Sequence, residues 1–171
     1  MDAAAVLDLL VSRDATLTTA ESLTGGRLAA RISAVPGASR AYAGGVVAYA
    51  TELKQQLLGV PDELLARHGV VSPECARAMA EGARLLLGST YALSTTGVAG
   101  PDRQEDQPVG TVFVGLAGPG GVTVLALELS GDRQRIQERT CDEALAVLGG
   151  KLLGKNPASG SVGRTDDDPW L

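Results

Sequence analysis

The sequence predicts an α/β domain built on a mixed β-sheet, and three observations predict it. β-prone runs alternate with amphipathic helical patterns along most of the chain. Two β-prone runs, 109–117 and 122–129, are joined only by Gly118-Pro119-Gly120-Gly121, too short for a parallel crossover, so they should pair antiparallel. Two further β-prone runs each lead into a turn rich in glycine and hydroxyl groups, the kind of strand end at which open α/β sheets hold ligands.

Taken in order, residues 3–12 place Val6, Leu7, Leu10 and Val11 on one side, which predicts a helix packed on the sheet. The run Thr16-Leu17-Thr18-Thr19-Ala20 predicts a strand, and Leu28, Ile32 and Val35 recur at helical spacing up to Pro36, so residues 21–26 are the crossover. A loop over 36–40 precedes Tyr42 to Tyr49, read as a buried strand from Val46 and Val47. Thr51 can cap a short helix that carries Lys54, Leu57 and Leu58 and stops at Gly59, and Pro61-Asp62-Glu63 opens another. Ser72-Pro73-Glu74 is a strong start for a helix running to about Leu87, with Cys75, Met79, Ala83 and Leu86 on its apolar stripe. Tyr91 to Ser94 form a short strand feeding the loop 95–102. The polar stretch 102–108 follows, then the antiparallel pair, then a last helix from Gly131 or Asp132 with Ile136, Thr140, Ala144, Leu145, Leu148 and Leu152 on its buried face.

Composition narrows the function classes. The 171 residues are 44% hydrophobic, enough for one ordinary core, so residues 1–153 read as a single domain. From 154 to 171, Gly, Ser, Pro and Asp dominate, which predicts a flexible acidic tail. Fifteen Lys and Arg against twenty Asp and Glu give a net charge of −5, with the basic residues scattered, so no phosphate-backbone footprint is expected and nucleic acid is not an expected partner. No apolar run approaches the roughly 18 residues that would span a bilayer, and the N-terminus lacks the pattern of a signal peptide. The expectation is a cytoplasmic protein without membrane contact. Cys75 and Cys141 lie far apart and there is one histidine, so a metal site is not expected and both thiols are expected reduced.

Chemistry is expected at Thr18-Thr19-Ala20-Glu21-Ser22-Leu23-Thr24-Gly25-Gly26-Arg27. Ser22 there sits beside the free N–H groups of a helix start, which could hold a phosphate or a developing oxyanion; the same residues also make an ordinary N-cap. Gly97 and Gly100 in the second turn are either ligand contacts or turn formers. His68, just before Gly69, reads as a helix-end residue, and Arg133, Arg135 and Arg139 as a solvated face.

Six motifs occur in one order: Ala20-Glu21-Ser22-Leu23-Thr24-Gly25-Gly26, Val47-Ala48-Tyr49 with Lys54, Gly69-Val70-Val71-Ser72, Thr96-Gly97-Val98-Ala99-Gly100-Pro101-Asp102, Pro108-Val109-Gly110-Thr111-Val112 and Ser130-Gly131-Asp132-Arg133. Together they resemble the CinA C-terminal domain family over roughly residues 5–153, a family that includes stand-alone nicotinamide-nucleotide amidohydrolases. The resemblance implies a three-layer α/β/α sandwich on a mixed, five-stranded sheet. It implies hydrolysis of the carboxamide of nicotinamide mononucleotide to nicotinic acid mononucleotide and ammonia, without metal or organic cofactor. Position by position, Ser22 corresponds to the family's nucleophile, Lys54 to its base and Tyr49 to the nearby hydroxyl, while Ser39, Thr96 and Arg133 fall where the family has other site residues. Backbone N–H groups at Leu23 to Gly25 would face the oxyanion. Thr24, Gly25, Gly26, Thr96, Gly97 and Gly100, with Arg133 or Arg139 at the phosphate, complete the expected substrate-binding set.

The chemistry behind that assignment is general. An acyl-enzyme route needs a nucleophile, a proton acceptor and oxyanion donors. A lysine titrating near its ordinary value of about 10.4 is a poor base, so Lys54 must lose its water or be crowded by positive charge. The segment 102–107 lacks the glycines usual after this family's Gly-Pro-Asp, and the further Arg common after Arg133 is displaced, with Gln137 and Arg139 nearby. These departures keep open a non-catalytic nucleotide-binding or competence-related interaction module, and an amidase acting on a related amide. The oligomeric state is open, a homo-oligomer included.

Overall fold

A computed structural model describes residues 1–154; the expected acidic tail, beyond Gly154, lies outside the described residues. Helix α1 (Ala3–Val11) leads into β1 (Leu17–Glu21) and α2 (Arg27–Ser33). A 3-10 turn (Ala38–Arg40), β2 (Tyr42–Val47), α3 (Thr51–Leu58), α4 (Asp62–His68) and α5 (Pro73–Leu87) follow, then β3 (Tyr91–Gly97), β4 (Thr111–Gly118), β5 (Gly121–Glu128) and α6 (Arg133–Leu152).

The five strands are ordered β2-β1-β3-β4-β5. β1 lies parallel between β2 and β3, whereas β4 is antiparallel to both β3 and β5, with Gly118 opposite Gly121 at the tight turn. The sheet is thus mixed for the reason the short link required. Helices α1, α2 and α6 cover one face and α3, α4 and α5 the other, giving the three-layer α/β/α arrangement.

The two faces pack differently. Beneath α1, α2 and α6 lie large aliphatic side chains, among them Leu10, Leu17, Leu28, Ile32, Leu93, Ile136, Leu145 and Leu148. Around α5 the core is made mostly of small ones, Ala20, Cys75, Ala80, Ala83, Ala92 and Ala117, with Met79, Leu58 and Val60 as the larger members. Small residues let α5 lie close to both sheet and α3, so a Cβ at Gly82 would strike the Leu58 carbonyl and one at Gly115 would meet the Ala76 carbonyl. Ser72 caps α5 by accepting from the Cys75 N–H at 3.1 Å, with Pro73 in the first turn, as the sequence indicates.

Several boundaries differ from expectation. β3 continues through Gly97, so Thr95 and Thr96 are buried strand residues, not loop. β4 starts at Thr111, because Val109 and Gly110 turn the chain there: the Gly110 N–H bonds to the Val98 carbonyl and the Leu129 N–H to the Gly110 carbonyl, both at 2.8 Å. β2 is an edge strand with alternating half-buried and exposed residues, and Val47 is exposed; apolar content there suggested burial, but pairing on one side only leaves half the strand open. Among the described residues no helix is long and apolar enough to cross a membrane.

Candidate active site

The three parallel strands end on the same side of the sheet, and their carboxyl ends supply Tyr49, Ser22 and Gly97 to one cavity. Ser22, Leu23, Tyr49, Lys54, Val71, Thr96, Gly97, Gly100, Asp102, Gln104 and Arg133 are among its lining residues. Adjacent strands bring the two glycine-rich turns together, since Glu21 pairs with Thr95 and the Ser22 N–H donates to the Thr95 carbonyl at 2.9 Å.

Ser22 does not stand at a helix start, as the sequence suggests. α2 begins at Arg27 behind a left-handed Gly26 that makes no side-chain cap. The donors expected to be free there are taken by Glu21: its carboxylate accepts from the Gly26 and Leu28 N–H groups at 3.0 Å and from Ala29 at 2.8 Å, and the residue is 1% exposed. A fixed buried anion therefore occupies the helix N-terminus that an external phosphate would have used. The Gly25 N–H is also engaged, donating to the Ser22 carbonyl at 3.1 Å, so it is not an oxyanion donor. Among the described residues the N–H groups of Leu23 and Thr24 have no acceptor. They are the remaining donors of this turn.

Lys54 projects from α3, yet it is 1% exposed, and its amine donates to the carbonyls of Ala48 at 2.9 Å and Tyr49 at 3.2 Å. Loss of water lowers its pKa from the ordinary lysine value, opposed by the smaller attractions of Cys75, Glu105 and Glu52. Burial pushes the neighbouring Cys75 thiol up to about 11. Both Ser22 and Lys54 open onto the cavity, but no hydrogen bond joins their side chains.

The Tyr49 hydroxyl makes no hydrogen bond to that amine. It accepts from Arg133 at 2.7 Å, while the same guanidinium donates to the Gly100 carbonyl at 2.8 Å, so Arg133 ties the rim formed after β2 to the second glycine-rich turn. Thr96 is buried, its hydroxyl donating to the Val70 carbonyl at 2.5 Å. Thr24 is buried in a pair with Thr95 at 2.8 Å, and neither it nor Gly25 nor Gly26 lines the cavity. Ser39 is exposed in the 3-10 turn and Arg139 is exposed on α6; neither lines the cavity. His68 ends α4 and faces Glu74 at 3.6 Å, a helix-end residue as read.

Sequence reasoning passed over three groups: Glu21, Glu105 and Gln137. The Glu105 carboxylate holds the Val71 N–H at 3.1 Å, and Glu105 and Asp106 adopt positive φ of 50° and 61°, the conformation for which glycine would be the easy choice. Among the described residues no three His, Cys, Asp or Glu side chains gather as a metal ion would require.

Comparison with known proteins fixes the lineage, because the profile of the CinA C-terminal domain matches residues 2–152. The chain belongs to the CinA C-terminal domain family. It is 55% identical to a CinA-like protein of Frankia casuarinae over 149 residues, 87% of this chain and 34% of that protein. A CinA-like protein of Solibacter usitatus is 46% identical, over 86% of this chain and 36% of its own length. The chain thus spans about a third of the length of these CinA-like relatives. A crystal structure of a Competence-Damaged Protein (CinA) superfamily protein from Klebsiella pneumoniae superposes with a TM-score of 0.87 at 36% identity, covering 89% of this chain and 96% of that one. A CinA superfamily protein of Escherichia coli gives 0.81 at 30% identity, covering 87% and 88%.

Proposed function

We propose that the chain hydrolyses the carboxamide of nicotinamide mononucleotide to nicotinic acid mononucleotide and ammonia, through an acyl-enzyme on Ser22 with Lys54 as the base. The observation that carries this reading is the Lys54 amine, 1% exposed, without a carboxylate partner among the described residues and opening onto the cavity that Ser22 lines. A neutral amine has two N–H bonds and one lone pair; with both N–H groups donated to the Ala48 and Tyr49 carbonyls, the lone pair is what remains for the Ser22 proton.

As the Ser22 oxygen bonds to the carboxamide carbon, its proton passes to Lys54 and the carbonyl electron pair moves onto oxygen, facing the Leu23 N–H group. Collapse breaks the C–N bond, and the Lys54 ammonium returns that proton to the departing nitrogen, which leaves as ammonia. Water then gives a proton to Lys54 and attacks the ester; the C–O bond to Ser22 breaks, and Lys54 returns the proton to the Ser22 oxygen as the acid leaves. No metal or organic cofactor takes part. The cavity, about 140 Å³, is smaller than the roughly 300 Å³ at the low end of small-molecule pockets, so it takes the carboxamide end while ribose and phosphate lie along the rim toward Arg133. This is cytoplasmic pyridine-nucleotide recycling with a small-molecule partner. Purified protein incubated with nicotinamide mononucleotide should release ammonia well above a Ser22→Ala control; equal release in both sinks the reading.

A second reading, a nucleotide-binding or interaction module without turnover, is favoured by the missing Ser22–Lys54 hydrogen bond and by related structures titled competence damage-inducible protein. Tight calorimetric binding of the nucleotide with no ammonia would establish it in place of the first.

A further inference from the structure

Four residues on the cavity lining have a backbone group held by a side chain from elsewhere in the chain. Gln137 donates to the Leu23 carbonyl at 2.6 Å, Arg133 to the Gly100 carbonyl at 2.8 Å, and Thr96 to the Val70 carbonyl at 2.5 Å. These three side chains stand on α6 and β3. The fourth hold comes from the polar stretch 102–107: the Glu105 carboxylate accepts from the Val71 N–H at 3.1 Å, and Asp102 and Gln104 of the same stretch line the cavity. That stretch therefore runs along the cavity from the Gly100 turn to the 69–71 segment.

Its tip is a tight hairpin. The Gln107 N–H donates to the Gln104 carbonyl at 2.8 Å and the Gln104 N–H to the Gln107 carbonyl at 3.3 Å, which leaves Glu105 and Asp106 as the two central residues, with φ of 50° and 61°. Such turns favour glycine and asparagine, and the left-handed conformation costs other residues unless the surroundings over-determine it. Here they do, because the Glu105 carboxylate is seated on the Val71 N–H and against Gly69, where a Cβ would strike it. The same carboxylate attracts the Lys54 ammonium, in keeping with a place beside the cavity. Gln104 both lines the cavity and is exposed, so it stands at the mouth. Its amide carries two donors and an acceptor, the set that sugar hydroxyls pair with, and the ribose is the part of the nucleotide that lies along the rim.

We propose that Glu105 is a positioning residue: its carboxylate clasps the 102–107 hairpin to the Val71 N–H and so holds Gln104 at the mouth of the cavity, where Gln104 meets the ribose hydroxyls of the substrate. The inference rests on the amide-hydrolase reading and adds to it the groups that recognise the sugar.

The test measures ammonia release from nicotinamide mononucleotide on the pH plateau of each protein, with folding verified by circular dichroism. Gln104→Ala should raise KM by about five- to tenfold while kcat stays within about threefold, because a sugar contact is made alike in the ground and transition states. Glu105→Ala should do the same. Glu105→Gln, whose amide oxygen still accepts from the Val71 N–H, should keep KM within about twofold of wild type. The analogue lacking the ribose 2′- and 3′-hydroxyls should have a raised KM on the wild type that Gln104→Ala raises no further. A folded Gln104→Ala protein with wild-type KM overturns the proposal, and so does Glu105→Gln as impaired as Glu105→Ala or a full additional loss on the analogue. Gln104 is exposed, so Gln104→Ala keeps the test decisive if Glu105→Ala does not fold. Wild-type protein that releases no more ammonia than Ser22→Ala removes the hydrolase reading itself, an outcome distinct from an active wild type indifferent to residues 104 and 105.

Discussion

Glu21 and Lys54 are both ionisable residues buried to 1% exposure within a few residues of the same cavity, and they are held in opposite ways. Glu21 accepts three backbone N–H groups and ties down the start of α2. Among the described residues Lys54 makes two hydrogen bonds to carbonyls and has no carboxylate partner, and it opens onto the cavity. A buried charge whose bonding is complete is a structural element, stable because the fold supplies every partner. A buried amine with one position unfilled is a chemical reagent, since removing its water favours the form that takes up protons. Burial alone does not separate the two cases; the remaining valence does.

The strongest way to break this contrast is to remove the unfilled group. Lys54→Met should lower ammonia release from nicotinamide mononucleotide by at least about a thousandfold, while its melting temperature stays level or rises, because an apolar side chain of similar length replaces a buried amine. A variant that keeps its activity would make Lys54 structural too. Glu21→Gln should do the reverse and act first on stability. An amide presents one acceptor and two donors to N–H groups that need an acceptor, and the expected loss is about 2–3 kcal/mol in denaturant unfolding. Activity should fall as well, through the loosened Ser22 turn, but the unfolding midpoint is the larger signal.

A pH series sharpens the comparison. The folded-state pKa of Lys54 lies below its unfolded value of about 10.4, so stability rises with pH wherever the unfolded chain holds the proton and the folded one does not. The cost of burying the ammonium is fully present below the lowered folded pKa and fades as pH rises toward about 10.4. Wild-type stability should therefore gain with pH across that window relative to Lys54→Met, and parallel curves for the two proteins would contradict the shift. The smallest effect is expected at His68→Gln. The half-exposed pair with Glu74 contributes at most about 0.5 kcal/mol, and ammonia release should stay within about twofold of wild type.

Much of the fold was legible before any coordinates, because its signals are local. The Ser72-Pro73 helix start and the Gly118–Gly121 turn each carry their structure in a few consecutive residues. Family motifs brought Ser22 and Lys54 into view, and the strand order puts both on one cavity. What escaped is long-range or depends on hydrogen-bond direction. In the sequence Ser22 reads as standing at a helix start, either as a ligand-binding turn or as an N-cap, whereas the group that takes those N–H donors is the neighbouring glutamate reaching forward to residues 26–29. Tyr49 was read as a hydroxyl beside the lysine, but the amine takes its carbonyl and the hydroxyl pairs with Arg133, 84 positions away. One signal was available and unused. Lys54 stands four residues before Leu58 on the buried side of α3, and Gln137 sits four before Cys141 on the buried side of α6; a polar residue on an apolar stripe marks a group held for its bonding.

The account turns on whether the Lys54 amine is neutral at working pH, and that can be read without substrate. Following the lysine ¹³Cε resonances against pH, with Lys54→Met to assign the signal, the account predicts that Lys54 titrates clearly below the other lysines. A Lys54 signal that titrates with them, near about 10.4, would contradict it.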